Sequence, residues 1–201
     1  MCGWSRQSFS GSVWALLPTR AAGIFCEAMN LLVQSPIQIA WVTPDLDATE
    51  TALTGLLGVR KWVRIPDVHF APDTCTYRGA PADFVAGISL SYLGDMQFEL
   101  IAPVHGENIY SEFLRDHGPG LHHICVEAQS PEQFQAALDD AASHGAPVVQ
   151  QGVMPGGLQF AYVSAPHAGV PFLEIAYLSP EIRAFYEYIK QEQEGSNRSK
   201  R

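Results

Sequence analysis

The sequence predicts an α+β protein built from two paired copies of a strand–helix–three-strand (βαβββ) module. Three observations support this prediction. An apolar strand that leads into a capped helix occurs twice, three β-rich segments follow each helix, and both halves close on a similar triplet, Phe98-Glu99-Leu100 and Leu173-Glu174-Ile175. Because a module of about 60 residues buries little apolar surface alone, we expect the two copies to combine into one structure.

The first module is predicted over residues 37–103. Its opening segment, QIAWVTPDLDA (38–48), is an apolar strand followed by an aspartate-capped helix start. An apolar stripe at helical spacing follows, and Gly58 ends the helix. The stripe comprises Leu46, Thr49, Leu53 and Leu56. Three β-rich segments complete the module, at 60–66, 85–93 and 96–102.

A long segment, Val68–Phe84, separates the first two of these strands. It contains Pro72, Gly79 and Pro81 and exceeds the usual length of a strand connection. We therefore expect a lid or a binding loop here.

The second module is predicted over residues 120–178. HICVEAQSPEQ (123–133) is a strand that leads into a helix with Ser130 as cap and Pro131 at its first position, and Ser130 with Gln133 matches a capping box. The helix ends at Gly145, and its apolar stripe consists of Phe134, Ala137, Leu138 and Ala141. The predicted strands are 146–152, 158–164 and 170–177.

Both ends of the chain lie outside this repeat. Residues 1–35 show no sustained periodicity and are interpreted as an N-terminal extension that is either disordered or non-native, with translation beginning at Met29 in the second case. Residues 179–201 are predicted to form a C-terminal helix with a polar tail. The helix has an apolar stripe of Ile182, Phe185, Tyr186 and Ile189.

The composition excludes several classes of protein. Twelve basic and twenty-one acidic residues give a net charge of −9, which argues against a nucleic-acid partner because phosphate binding needs clustered cations. A cluster of Arg60, Lys61 and Arg64 is an exception and is interpreted as a solvated strand edge. No apolar run is long enough to span a membrane. Four scattered cysteines indicate a reducing compartment, and we expect a cytoplasmic location.

Strand alternation places four polar residues on equivalent faces of the two modules. Gln38 and Glu99 lie in the first and last strands of the first module, and His123 and Glu174 occupy the matching strands of the second. If a pseudo-twofold axis relates the modules, these side chains converge. One imidazole, one amide and two carboxylates suit a divalent ion such as Zn, Ni, Co, Mn or Mg, with a position left for substrate. The same alternation predicts that His122 faces away from His123.

The paired modules resemble the vicinal oxygen chelate superfamily, which includes glyoxalases, bleomycin resistance proteins and extradiol dioxygenases. The resemblance covers a domain at 36–178 and implies a half-barrel cleft around a metal site. The stretch FELIAPVHGENIYSEFLRDHGPGLHHI is similar to the methylmalonyl-CoA epimerase branch. The metal ligands implied are Gln38, Glu99, His123 and Glu174. Glutamine in the first strand and glutamate at position 99 depart from the epimerase pattern and match the ligand set of eukaryotic-type glyoxalase I, although the glyoxalase DPDG turn is absent.

The resemblance implies an isomerase or lyase that removes a proton next to the carbonyl of a thioester or a hemithioacetal. Glu174 is the implied base and Glu99 its counterpart across the pseudo-axis. The substrate would be a small molecule such as a CoA or glutathione thioester. A homodimer is expected, and whether the modules pair within or between chains stays open.

Two alternatives from other classes stand beside this hypothesis. One is a non-heme iron dioxygenase of the extradiol type, although that branch uses two histidines and one glutamate, and Gln38 replaces the first histidine. The other is a non-catalytic protein that binds a small molecule, as resistance proteins do. Metal analysis of the purified protein separates the three.

Overall fold

The structure, a computed structural model, describes the backbone of residues 35–198 and the side chains of residues 35–193. The predicted N-terminal extension therefore lies outside the described residues, apart from Ser35. In chain order the elements are β1 (Gln38–Val42), α1 (Leu46–Leu57), β2 (Val63–Phe70), β3 (Cys75–Tyr77), β4 (Ala80–Pro81), β5 (Phe84–Leu93), β6 (Met96–His105), α2 (Ile109–His117), β7 (Gly120–Ala128), α3 (Pro131–Ser143), β8 (Val148–Val153), β9 (Gln159–Ser164), β10 (Phe172–Tyr177) and α4 (Pro180–Arg198).

All ten strands form one curled sheet in the order β2-β5-β6-β1-β7-β10-β9-β8-β3-β4. Within each module the first strand pairs in parallel with the last, β1 with β6 and β7 with β10. The two modules join through antiparallel pairing of β1 with β7, so they combine within one chain. The predicted fold class, α+β with two βαβββ modules in a half-barrel, is confirmed.

The two equivalent helices begin where the sequence predicts but differ in how deeply they are buried. Asp45 caps α1 and Ser130 caps α3, each accepting a bond from the backbone three residues on. Phe134 and Leu138 of α3 are buried in a core with β7, β9 and β10. By contrast α1 has no buried residue, and Leu56 is 81% exposed. Leu56, which the sequence places on the apolar stripe of α1, is therefore exposed to solvent rather than packed in a core.

The segment between β2 and β5 differs from the expected loop. Residues 68–70 continue β2, while β3 and β4 form a hairpin that pairs with β8 at the opposite edge of the sheet. We call residues 71–83 the strap, because they connect one edge of the curled sheet to the other. Arg78 of the strap forms an ion pair with Glu112 of α2, and the Tyr77 hydroxyl donates to the same carboxylate. The strap is therefore part of the sheet.

The helix α2 was not predicted, although its signals are present in the sequence. Asn108 caps it in a reciprocal capping box with Ser111, and Gly118 follows its last turn. Ile109, Tyr110 and Phe113 are buried in the core beneath the strap. The connection between the two modules thus contributes to the core.

The C-terminal helix packs against the first module. The Gln193 side chain donates to the backbone of Lys61, and Ile189 is fully buried. Across residues 35–198, no helix has the length and apolar character needed to cross a membrane.

Candidate metal centre and cleft

The register of the four central strands brings the predicted site residues together. Ala40 of β1 lies opposite Glu99 on one side and His123 on the other. Gln38 is two residues before Ala40 and therefore shares its face. Glu174 lies opposite Cys125, two residues after His123, so it also points to this face. The parallel pairs β1–β6 and β7–β10 therefore place the four predicted residues where the two modules meet.

Three of these side chains form a compact buried group. The Nε2 atom of His123 lies 3.0 Å from a carboxylate oxygen of Glu174 and 3.5 Å from one of Glu99. One potential ligand atom from each of the three residues lies within 4.8 Å of the others. Gln38 is also buried, and its side chain adjoins the Glu99 carboxylate. The structure thus gathers all four residues, and their role as metal ligands stays a prediction.

The electrostatics of this group leave polar atoms unsatisfied. His123 Nε2 and Glu174 Oε2 are buried and make no hydrogen bond of acceptable geometry. Burial, reinforced by the charge of Glu174, raises the pKa of Glu99. Burial also opposes protonation of His123, but the carboxylates of Glu174 and Glu99 outweigh it and raise the pKa of His123 to about 9. A divalent cation would satisfy both unpaired atoms and neutralise the two acids, so the residues present fit such an ion.

The prediction that His122 faces away from His123 is wrong. Ala40 pairs with His123 and Trp41 pairs with Leu121, so His122 is an extra residue at a bulge in β7. Its Nδ1 atom lies 2.8 Å from Nδ1 of His123. Burial holds the pKa of His122 well below its usual value, so the ring is neutral. The bulge turns two consecutive histidines toward one site.

A pair of tyrosines adjoins this group and was also missed. The hydroxyls of Tyr110 and Tyr162 lie 2.9 Å apart, and the Tyr162 ring centroid is 4.9 Å from that of His123. Burial raises the pKa of both phenols well above the usual value, so both hydroxyls are neutral, and one donates its hydrogen to the other. Tyr110 belongs to the unpredicted helix α2, whereas Tyr162 shows no sequence signal beyond its place in a strand.

A cavity of about 460 Å³ opens onto the two carboxylates. Glu99, Glu174 and both tyrosines line its inner end. Side chains of β2, β5, β9 and α4 form its walls. A small molecule in this cavity would reach the carboxylates directly, which is the arrangement expected of a binding or active site.

Comparisons with known proteins agree with this architecture. The family model of the Glyoxalase/Bleomycin resistance protein/Dioxygenase superfamily matches residues 37–162, more than half of the chain. No curated protein matches.

Among solved structures, methylmalonyl-CoA epimerase from Mycobacterium tuberculosis is similar, with a TM-score of 0.54, 17% identity, and coverage of 80% of this chain and 97% of that one. A variant of the Streptomyces coelicolor methylmalonyl-CoA epimerase, in complex with 2-nitronate-propionyl-CoA, gives a TM-score of 0.54 at 15% identity and covers 74% and 96% of the two chains. A hypothetical protein from Bacillus halodurans gives 0.52 at 18%, covering 72% and 94%.

At these identities the solved structures establish the fold, and the family model establishes descent. The paired modules and the buried Glu–His–Glu group at their junction agree with it. The chain belongs to the glyoxalase/bleomycin resistance protein/dioxygenase superfamily.

Proposed function

We propose that this protein is a metal-dependent isomerase or lyase that moves a proton next to the carbonyl of a thioester or hemithioacetal. The observation that supports it is the buried group of Glu99, His123 and Glu174 at the inner end of the cavity, with unpaired atoms on His123 and Glu174. The solved neighbour that holds a CoA ligand supports a thioester as one substrate type.

Gln38, Glu99, His123 and Glu174 would hold the ion, which we propose to be Zn, Ni, Co, Mn or Mg. When bound, such an ion supplies Lewis acidity that polarises a carbonyl oxygen. The protein would contribute an amide, an imidazole and two carboxylates as ligands, at the inner end of a largely apolar cavity.

Proton transfer is assigned to the two carboxylates. Glu174 is the proposed base, and Glu99 faces it across the junction of the modules. Burial raises the pKa of Glu99 in the absence of an ion, and an ion held by the same carboxylate would lower it. Two carboxylates on either side of a planar enolate would let one remove a proton and the other return it, as racemisation requires.

The test is exchange of the substrate α-proton with deuterium, followed by NMR on protein loaded separately with each of the five ions. Methylmalonyl-CoA, the methylglyoxal–glutathione hemithioacetal and the uncharged thioester propionyl-N-acetylcysteamine are the three probes. We expect Glu174→Gln to keep the fold but reduce exchange by about a hundredfold or more, the range for loss of a positioned base. Glu107→Gln is the matched control, because the Glu107 side chain is 79% exposed and is not part of the cavity lining.

Three outcomes would contradict the proposal. Near-full exchange in Glu174→Gln removes the base assignment. Tightly bound ferrous iron with oxygen uptake indicates a dioxygenase, and failure to bind any of the ions indicates a metal-free binding protein.

A further inference from the structure

We propose that the cavity selects substrates whose groups beyond the reacting carbonyl are uncharged and apolar, so that a free CoA or glutathione moiety is disfavoured. This inference rests on the proposed function for the position of the carbonyl. It follows from the walls of the cavity, the charges around it and the helix that closes it.

The walls are apolar along most of their length. Ile88, Leu90 and Ile101 contribute from the sheet, and Phe160 faces them. Among the described residues, no lysine or arginine lines the cavity, whereas Glu99 and Glu174 form its inner end and Asp67 lies in its wall. The lining histidine, His69, is hydrogen-bonded to Asp83. With Glu99 and Glu174 neutralised by the proposed ion, an anion placed here would still meet the charge of Asp67 and find no cationic side chain.

Most of the cationic side chains elsewhere in the described region already form ion pairs. Six of the seven lysine and arginine side chains in the described region take part in ion pairs: Lys61, Arg64, Arg78, Arg115, Arg183 and Lys190. The basic cluster near residue 60 illustrates this, because Arg64 pairs with both Asp47 and Glu50. The chain therefore offers little to the phosphates of CoA, and its net charge of −9 repels them.

The helix α4, which follows the second module, completes the cavity. Ile182, Phe185 and Tyr186 of α4 line it. The helix is held in place by ion pairs from Arg183 to Glu127 and from Lys190 to Asp95. Its aromatic side chains give the cavity a wall suited to an aliphatic or aromatic group. A helix beyond the repeated modules thus sets the specificity.

The experiment compares two propionyl thioesters that differ in the charge of the carrier, and two esters of one uncharged carrier that differ in the acyl group. Propionyl-CoA, propionyl-N-acetylcysteamine and benzoyl-N-acetylcysteamine are titrated by calorimetry into metal-free and zinc-loaded protein at low and at moderate salt. We expect the benzoyl ester to bind at least tenfold more tightly than the propionyl ester of the same carrier. The CoA ester should bind no better than its uncharged counterpart, and its affinity should rise with salt as repulsion is screened.

Two variants of α4 provide a matched pair. Phe185→Arg places a charge in the cavity wall and should weaken benzoyl-N-acetylcysteamine binding at least tenfold. Tyr188→Arg adds the same charge on the same helix at a residue that is 60% exposed and outside the lining, and it should leave binding unchanged.

Two results would overturn the inference. One is that the CoA ester binds at least tenfold more tightly than the uncharged propionyl ester, with an affinity that falls as salt rises. The other is that the benzoyl ester shows no measurable binding. Because calorimetry does not depend on turnover, apolar binding without proton exchange would refute only the proposed function. Proton exchange with a clear preference for the CoA ester would refute only this inference.

Discussion

His122 is the residue at which strict strand alternation fails. The bulge in β7 leaves His122 between the residues that pair with Ala40 and Trp41. The Nδ1 atom of His122 lies 2.8 Å from Nδ1 of His123. Nε2 of His123 is directed at the two carboxylates, so Nδ1 is the atom left to donate to the neutral His122. A hydrogen bond of this kind fixes the orientation of a metal-binding imidazole. We therefore assign His122 a positioning role.

Replacing His122 tests this role without disturbing the proposed ligands. His122→Phe should retain the fold, because the ring lies among Tyr110, Phe113 and Phe172. Zinc affinity, measured by competition with a chromophoric chelator, should fall by about 10–100-fold. The visible spectrum of the Co²⁺ form should also change. His105→Phe, at an exposed strand end, is the control, and equal zinc affinity in both variants would refute the assignment.

At the scale of elements, the strap connects the two edges of the curled sheet. It leaves the sheet at β2 and re-enters beside β8, where the Arg78 amide donates to the carbonyl of Val149. Gly152 of β8 makes room for it, because a Cβ there would lie 2.9 Å from the Phe160 ring and 3.1 Å from the carbonyl oxygen of Thr74. Main-chain pairing together with the Arg78–Glu112 ion pair indicates a closed connection rather than a mobile lid.

The rate at which the buried Cys75 thiol reacts measures opening of the strap. Burial raises its pKa to about 11, so at pH 8 roughly one thiol in a thousand is ionised. Iodoacetamide labelling of Cys75 at pH 8, mapped by mass spectrometry, should be about a hundredfold or more slower in the folded protein than in the unfolded chain. Because an unfolded thiol with a pKa of about 8.5 is almost fully ionised by about pH 10, only the folded rate should keep rising from there toward pH 11.

A substitution at Glu112 tests whether opening of the strap controls the labelling rate of Cys75. Glu112→Gln removes the ion pair with Arg78 and should accelerate labelling of Cys75, whereas Glu107→Gln should not. Fast labelling of the unsubstituted folded protein would show that the strap opens freely.

At the scale of the whole molecule, the site is assembled from both modules of one chain. Each module supplies one of the two carboxylates, and the β1–β7 junction holds them against each other. The homodimer stays a prediction, because the described chain provides all four proposed ligands without a partner.

Binding of a divalent ion should therefore stabilise the fold as a whole. At a free concentration about 100 times Kd, the ion would add about 2.7 kcal/mol. For a domain of this size, that corresponds to a rise in Tm of about 5–10 °C in a calorimetric scan. A chelator should reverse the rise, and the double variant Glu99→Gln/Glu174→Gln should abolish it. An unchanged Tm with all five ions would contradict the metal site.

The candidate site could be predicted from the sequence because it depends on regular features. Strand alternation fixes the faces of Gln38, Glu99, His123 and Glu174, and the duplication fixes that their strands occupy equivalent places. The helix caps Asp45 and Ser130 are likewise local signals, since each bonds its own backbone three residues on. These elements follow from contacts between residues close in the chain.

Features that depend on contacts between residues far apart in the chain were determined by the tertiary structure alone. The bulge in β7 is defined by the pairing of β7 with β1, so the periodicity of the sequence around His122 does not predict it. The strap becomes strands only because β8 presents a free edge beside it, and α4 becomes a cavity wall only because the sheet curls beneath it. The sequence by itself determined which residues face the cleft and that two modules build it. Only the tertiary structure determined what closes the cleft, because closure depends on the spatial meeting of segments far apart in the chain.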